Sequence, residues 1–357
     1  MNSKLSEMTK VQDKNGNWIF IVPVTGVSIK KSVGGEIKIN RVIFVSGNKL
    51  SRIRKRLKIP VPISEIINKD KFSKGIIKKF FDDSETFAIL RFNGIPSDEI
   101  RKCNKIIETE LNILSLSQLG FGKRKYNSKL SIGLKDSNRV SSITINKKYN
   151  EYTFSSKWDS YSSPFIIEKP WKTFHKKFYY FEYLKILRGE IRVSNLWLKI
   201  ISRAGFLIGK SQSTNDVSSS FIWNMIALEM LLVGDGEKTE ETLIERSKYL
   251  LDWSEEWELN QYEFNISECY KKRNEYVHSG NMEIISRGDL IFTDDWAFNI
   301  LNNLIRLKKI IVSKDDLIKM SKRYSAERVL EIKSRKYQPG YLNMVNRKYV
   351  AEDFKEI

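Results

Sequence analysis

Residues 268–281 read ECYKKRNEYVHSGN and close a helical pattern that runs from Leu259 to Val277, with Ser279 and Gly280 marking its end. Upstream, FIWNMIALEMLLVG at 221–234 follows a polar stretch, 211–220, in which Asp216 is a start signal; Gly234 is the matching stop. Further helices are predicted at Trp171–Leu187, Arg192–Leu207, Lys238–Trp253, Asp294–Val312 and Asp315–Lys336. From about residue 160 onward the chain is therefore expected to be all-helical.

Toward the N-terminus the pattern changes. Trp18–Val24 and Glu36–Val45 are rich in Val, Ile and Phe and are separated by Gly34-Gly35, which predicts an opening hairpin. Lys49–Lys58 has Leu50, Ile53 and Leu57 at helical spacing among six basic residues. Strands are expected at Thr86–Phe92, Leu130–Leu134 and Val140–Ile145, the last two as a pair. Pro96 opens a helix whose Ile100, Cys103, Ile107, Leu111 and Leu114 face a core. The fold class is α+β: a mixed, β-rich N-terminal domain followed by an all-α helical bundle. Polar residues 155–164 mark the boundary, after which strand patterns cease. The expected divisions are 1–160, connecting helices at 161–212, a helical domain at 213–312 and a basic helical tail at 313–357.

Of 357 residues, 41% are apolar and 12% aromatic, enough for real cores, which excludes a mostly disordered chain. The formal charge of +19 is unevenly spread: residues 1–200 carry +21 and 201–357 carry −2. A polyanion, nucleic acid above all, is the partner such a first half would grip. Two cysteines, Cys103 and Cys269, argue against a disulfide framework, and with only two histidines there is no ligand set for zinc. No cofactor is expected. The opening residues lack an apolar leader and no stretch reaches about eighteen uncharged apolar residues, so the expectation is a cytoplasmic protein without a membrane span.

The chemistry concentrates at 268–281. Arg273 offers a permanent forked cation for phosphate, and His278 is the side chain that moves protons near neutral pH. Five residues apart, they lie about 140° around a helix axis, so one straight helix cannot aim both at one point. Asn274 and His278, four apart, share a face. Two copies related by a two-fold axis would make a better site than one. The bland alternative is a surface ion pair for Arg273 and a dipole-stabilised helix end for His278.

In its order of motifs this region resembles the HEPN superfamily, in particular its ApeA-like anti-phage branch. Ala227-Leu228-Glu229 lies on one helix, Arg246 within IERSKYLL on the next, and Tyr270, Arg273, His278 and Gly280 form a Tyr-x2-Arg-x4-His-x-Gly pattern on a third. The likeness spans roughly residues 215–312; the first 160 residues share only their β-rich character. Ser279 is a departure, since many relatives continue directly to glycine. The resemblance implies a dimerising four- or five-helix bundle that cuts RNA without metal, leaving 2′,3′-cyclic phosphate and 5′-OH ends. Arg273 would stabilise phosphoryl charge, His278 would move protons, and Asn274 would hold either the imidazole or a phosphoryl oxygen. Glu229, Arg246, Tyr270 and Tyr276 would support them. It also implies an abortive-infection or toxin role, with a phage-derived trigger or an antitoxin as partner; covalent silencing would add mass to Tyr270 or Tyr276. The opposing reading is a non-catalytic protein whose basic half binds nucleic acid or a phage component and whose helical domain serves only to dimerise.

Lys49, Arg52, Arg54, Lys55, Arg56 and Lys58, with Lys123, Arg124 and Lys125, are candidates to follow a nucleic-acid backbone, and Tyr126, Trp158 and Tyr161 to stack on bases. AGFLIGKS at 204–211 fits a loose phosphate-binding loop, but its bulk and helical surroundings favour a helix end. Glu36 and Lys38 with Asp13 could belong to a metal-dependent nuclease, although solvent-facing strand residues explain the first two more simply. His175 is expected to be structural, and the aromatic run from Phe178 to Tyr183 to pack between domains.

Overall fold

The computed structural model describes residues 18–57, 85–93, 96–133, 139–146, 151–158, 164–251, 256–330, 342 and 344–354. They divide into two compact units: those up to Leu111 with Ser128–Lys172, and Asn112–Asn127 with those from Thr173 on. The architecture is α+β, an antiparallel sheet followed by a helical region.

The first unit is built on β1 (Trp18–Thr25), β2 (Val27–Ile29), β3 (Glu36–Lys38), β4 (Ile43–Ser46), the helix α1 (Gly47–Leu57) and β5 (Thr86–Phe92). Then come α2 (Pro96–Ser115), whose last turn belongs to the second unit, and the short β6 (Ser131–Ile132). The sheet order is β3-β4-β5-β1-β6. The predicted opening hairpin does not form: β1 pairs antiparallel with β5, Trp18 opposite Phe92, while β3 and β4 pair with each other. The reason is burial. Thr86 to Leu90 are all buried, so β5 takes the centre and needs partners on both edges, which proximity in sequence does not supply. α1 packs Leu50 and Ile53 against Val45, Phe87 and Ile89. Each such aliphatic side chain contributes roughly 1.5–3 kcal/mol when removed from water. Along α2, Cys103, Ile107, Leu111 and Leu114 are buried as the spacing predicts, but Ile100, 45% exposed, is not.

The expected pair Leu130–Leu134 with Val140–Ile145 is also corrected. β6 pairs with β1, whereas β7 (Arg139–Asn146) pairs with β8 (Glu151–Trp158). Strand structure continues past the polar stretch to β9 (Phe165–Ile167), which runs parallel to β2. Three residues are too short for a periodicity to register.

Glu110 on α2 is 5% exposed and accepts hydrogen bonds from the backbone N–H groups of Asn40 (3.0 Å) and Arg41 (3.4 Å), between β3 and β4. Burial pushes its carboxyl up to about 7 from the ordinary 4.5. Between those values the folded chain holds a proton that the unfolded chain has released, so stability falls as pH rises through the window. This group should cost the fold on the order of 3 kcal/mol between pH 4.5 and pH 8, at 1.36 kcal/mol per pH unit. Urea denaturation at both pH values should show that slope in the native chain and a flatter one in Glu110→Gln.

The second unit takes up the chain near α3 (Lys169–Lys177), followed by α4 (Tyr180–Leu187), α5 (Asn195–Gln212), α6 (Val217–Leu232) and α7 (Thr239–Leu251). α8 (Glu256–Leu259), α9 (Tyr262–Ser279), α10 (Arg287–Arg306) and α11 (Lys314–Val329) follow. Asp216 caps α6 as predicted, its carboxylate accepting from the Ser219 N–H. α6 ends at Leu232, two residues short of Gly234. α10 begins seven residues before the predicted Asp294, because Ser286 and Asp289 form a reciprocal capping box ahead of it.

The predicted helix 171–187 is interrupted at Phe178-Tyr179. The Tyr179 hydroxyl donates to the Leu116 carbonyl (2.8 Å) and that of Tyr180 to Ile113 (3.1 Å). Phe174, Phe178 and Tyr179 surround Phe298. The aromatic run thus packs inside the helical unit, not between domains. His175 is fully buried with Nε2 2.9 Å from the Ser117 carbonyl, so Nε2 carries the proton; burial lowers its pKa to about 3, which keeps the ring neutral.

The segment AGFLIGKS lies inside α5 and is no phosphate loop. Its glycines serve close packing. A Cβ on Gly209 would stand 1.8 Å from the Asn112 carbonyl oxygen, and one on Gly205 would stand 2.0 Å from the Tyr183 hydroxyl. Because the neighbour at Gly209 is backbone, Gly209→Ala should cost at least the 1–3 kcal/mol typical of overpacking, read as a fall in the thermal midpoint. An unchanged midpoint would contradict this packing. Among the described residues, no helix is long and apolar enough to cross a membrane.

Candidate active site on the helical unit

α9 turns Tyr262, Ile266 and Cys269 into the core, and Arg273 continues that stripe at helical spacing. The guanidinium therefore points inward, toward α6. Its Nη2 donates to Glu229 Oε2 (3.1 Å), Nε lies 3.0 Å from Oε1, and Nη1 donates to Asn274 Oδ1 (3.2 Å). Glu229 is the one charged residue on α6, and it stands in the apolar run 225–232. Burial raises its carboxyl above the usual range, and the Arg273 charge works against that rise. One N–H on each terminal nitrogen of Arg273 remains for another acceptor.

His278 sits in the last turn of α9, exposed, with no hydrogen bond to a described residue. Gly280 closes the helix at φ 70°, its N–H donating to Tyr276 C=O, and the Ser279 hydroxyl turns back to Glu275 C=O (2.6 Å). Ser279 is thus absorbed by the helix end without displacing its neighbours. Within one chain Arg273 and His278 do not converge, as their spacing on a helix requires. Tyr270 and Tyr276 are half-buried on the same helix.

Arg246 is placed elsewhere. It is fully buried, donating to the Leu232 carbonyl and to the Glu237 carboxylate. Lys314 donates to the neighbouring carbonyls of Met230 (3.0 Å) and Leu231 (2.6 Å). Both cations therefore close the C-terminal end of α6, where orphan carbonyls and the helix dipole favour positive charge. They act on the helix that carries Glu229, not on Arg273 itself.

Of the basic candidates in the first unit, Lys49 and Arg56 both pair with Glu36, at 3.0 and 2.8 Å. Those pairs hold the Glu36 carboxyl below its usual range, Arg56 contributing most. Arg52 is exposed. Lys38 is exposed on β3, and Asp13 lies outside the described residues, as do Lys58, Tyr161 and the side chains of Arg54, Lys55 and Trp158. In the second unit Arg124 turns inward to Asp294, and Lys123 and Lys125 pair with Asp353.

Two features escape sequence reasoning. Lys272 grips both carboxylate oxygens of Asp289 at 2.8 Å, tying α9 to the start of α10. The capping pattern Ser286-x-x-Asp289 was its only trace. Asp294 accepts from Arg124 Nη1 (2.9 Å), Gln212 Nε2 (2.8 Å) and Asn224 Nδ2 (2.8 Å), a buried polar centre signalled only by a lone asparagine within an apolar run. Among the described residues no group of three or more His, Cys, Asp and Glu is placed to hold a metal ion.

Together these features define an α+β protein whose helical unit presents a braced arginine and an exposed histidine on one helix. No protein family, curated protein or solved structure matches the chain.

Proposed function

We propose that the chain is a metal-independent endoribonuclease that acts as a homodimer. The observation that carries this reading is the bracing of Arg273 by Glu229 and Asn274, with two N–H donors left over, on the helix whose last turn exposes His278. A second copy would bring its own His278 to the guanidinium. Val277 and Met282, 54% and 57% exposed, are the apolar side chains beside it that such a copy would cover.

The chemistry follows from those two groups. His278 takes the proton of a ribose 2′-OH, the oxygen attacks the adjacent phosphorus, and the P–O5′ bond breaks as a protonated imidazole supplies a proton to the leaving oxygen. Arg273 donates to the phosphoryl oxygens as charge gathers on them. The products are a 2′,3′-cyclic phosphate and a 5′-OH, and DNA, which lacks the nucleophile, is not cut.

One observation favours a second reading, a dimeric nucleic-acid-binding protein without catalysis: no described residue orients the His278 ring, as a general base requires. The test is incubation of the purified chain with labelled single-stranded RNA in EDTA, followed by analysis of the product ends. Cyclic phosphate ends support the nuclease. Salt-dependent binding with intact RNA supports the second reading and overturns the first.

A further inference from the structure

Lys123, which precedes the turn Arg124–Tyr126, and Lys125 within it share a partner in the C-terminal segment 344–354. Lys123 Nζ lies 2.5 Å from one Asp353 carboxylate oxygen and Lys125 Nζ 2.9 Å from the other. The Val350 N–H donates to that carboxylate at 3.0 Å, and Arg287 Nε donates to the Asp353 carbonyl at 2.8 Å. Asp353 is 3% exposed. Two ammonium groups thus face one carboxylate, while the Arg287 guanidinium holds the backbone of the same residue. Beside it Tyr126 is 72% exposed, with Lys125 Nζ 5.3 Å from its ring centroid.

The two oxygens of a carboxylate present acceptors much as the two non-bridging oxygens of a phosphodiester do, and lysine binds either as a point charge. An exposed aromatic ring next to a phosphate seat is the arrangement that holds a single strand, the backbone on the cations and a base on the ring. The occupying segment is held mainly by side chains. Residues 344–350 form neither helix nor strand, and Ala351–Asp353 is a single short turn. Its anchors are Val345 N–H to Asn299 (2.7 Å), Tyr349 to Asp295 (2.8 Å) and Arg347 to Asp295.

We infer that Lys123, Lys125 and Arg287 form a phosphate subsite for single-stranded RNA, with Tyr126 as its stacking platform, and that Asp353 fills this subsite until the strand displaces it. The choice of RNA as ligand rests on the ribonuclease reading; the subsite itself rests on the contacts above. In the closed state the segment 344–354 acts as a competitor in cis, so strand binding and segment docking are mutually exclusive.

The test is fluorescence anisotropy with the full chain and a labelled 2′-O-methyl RNA 12-mer, which lacks the nucleophile and stays intact. Asp353→Asn keeps the shape and removes the charge. It should bind about fivefold or more tightly than the native chain, since the competing state is weakened. Its plot of log K against log salt should stay close to the native slope, because the displaced native chain makes the same two phosphate contacts. Adding Lys123→Gln and Lys125→Gln should abolish the gain in affinity and flatten the slope by about 1.4, the release lost with two phosphate contacts on a single strand. Native affinity in a folded Asp353→Asn chain would overturn the proposal, as would a gain that survives the lysine substitutions.

Hydrogen exchange on the native chain gives a second reading that needs no variant. Saturating RNA should deprotect the amides of Val345, Val350 and Asp353, and unchanged protection there would overturn the proposal. A protein ligand at this seat would leave RNA affinity the same in every variant. Because the oligonucleotide cannot be cut, a chain that cleaves RNA but fails here keeps its nuclease reading without this subsite. One that passes here but cuts nothing keeps only the subsite.

Discussion

His278→Ala is expected to slow RNA cleavage by roughly 10²–10⁴-fold, the range that one positioned acid–base group supplies. Arg273→Ala should cost about 10²–10³-fold, as the loss of a donor to developing oxyanion charge does. Neither substitution should disturb folding much, because His278 is exposed and Arg273 is half-buried at the rim of the bundle. The decisive measurement mixes the two variants. If each site takes its arginine from one copy and its histidine from the other, random exchange makes half of the dimers mixed, each with one intact site. The mixture should then regain about a quarter of the native rate. If both groups of a site came from one copy, no dimer would carry an intact site and nothing would be regained. Recovery near zero from exchanging dimers would therefore sink the shared-site geometry, and folded single variants with native rates would sink the catalytic assignment.

Asp294→Ala is expected to lower the stability of the helical unit by roughly 3–5 kcal/mol, the cost of leaving a buried partner charge uncompensated. Arg124, only 10% exposed, would keep its cation with no carboxylate to face. Gln212 and Asn224 would each lose an acceptor as well. The double substitution Arg124→Met with Asp294→Leu removes both charges and should cost much less than Asp294→Ala alone, since apolar replacement of a buried pair is often close to neutral. Urea denaturation of the three chains checks this. A double variant no more stable than the single one would mean that the hydrogen bonds, not the charges, dominate the centre.

The same centre shows why a basic cluster in a sequence is ambiguous. Lys123, Arg124 and Lys125 look alike in one dimension, but the turn sends the middle side chain inward to Asp294 and its neighbours outward to Asp353. Whether a cation is free depends on carboxylates more than 150 positions away, and nothing local encodes them. The glycines of AGFLIGKS teach the converse. A phosphate loop and a tight helix crossing both demand small residues, and only the Asn112 carbonyl beside Gly209 separates the two demands.

Several elements were legible because their cause is local. β5, the start of α2 and the Asp216 cap follow from residue type and spacing within a few positions. So does the divergence of Arg273 and His278, which is helix geometry alone. The choice of β5 as the partner of β1 was not legible, nor the place of Asn112–Asn127 in the helical unit, nor the Glu229 brace on Arg273. Periodicity says which face of an element is apolar, but not which distant element will cover it. That match is decided by burial and charge pairing across the folded chain, where contacts far apart in sequence compete for the same partners.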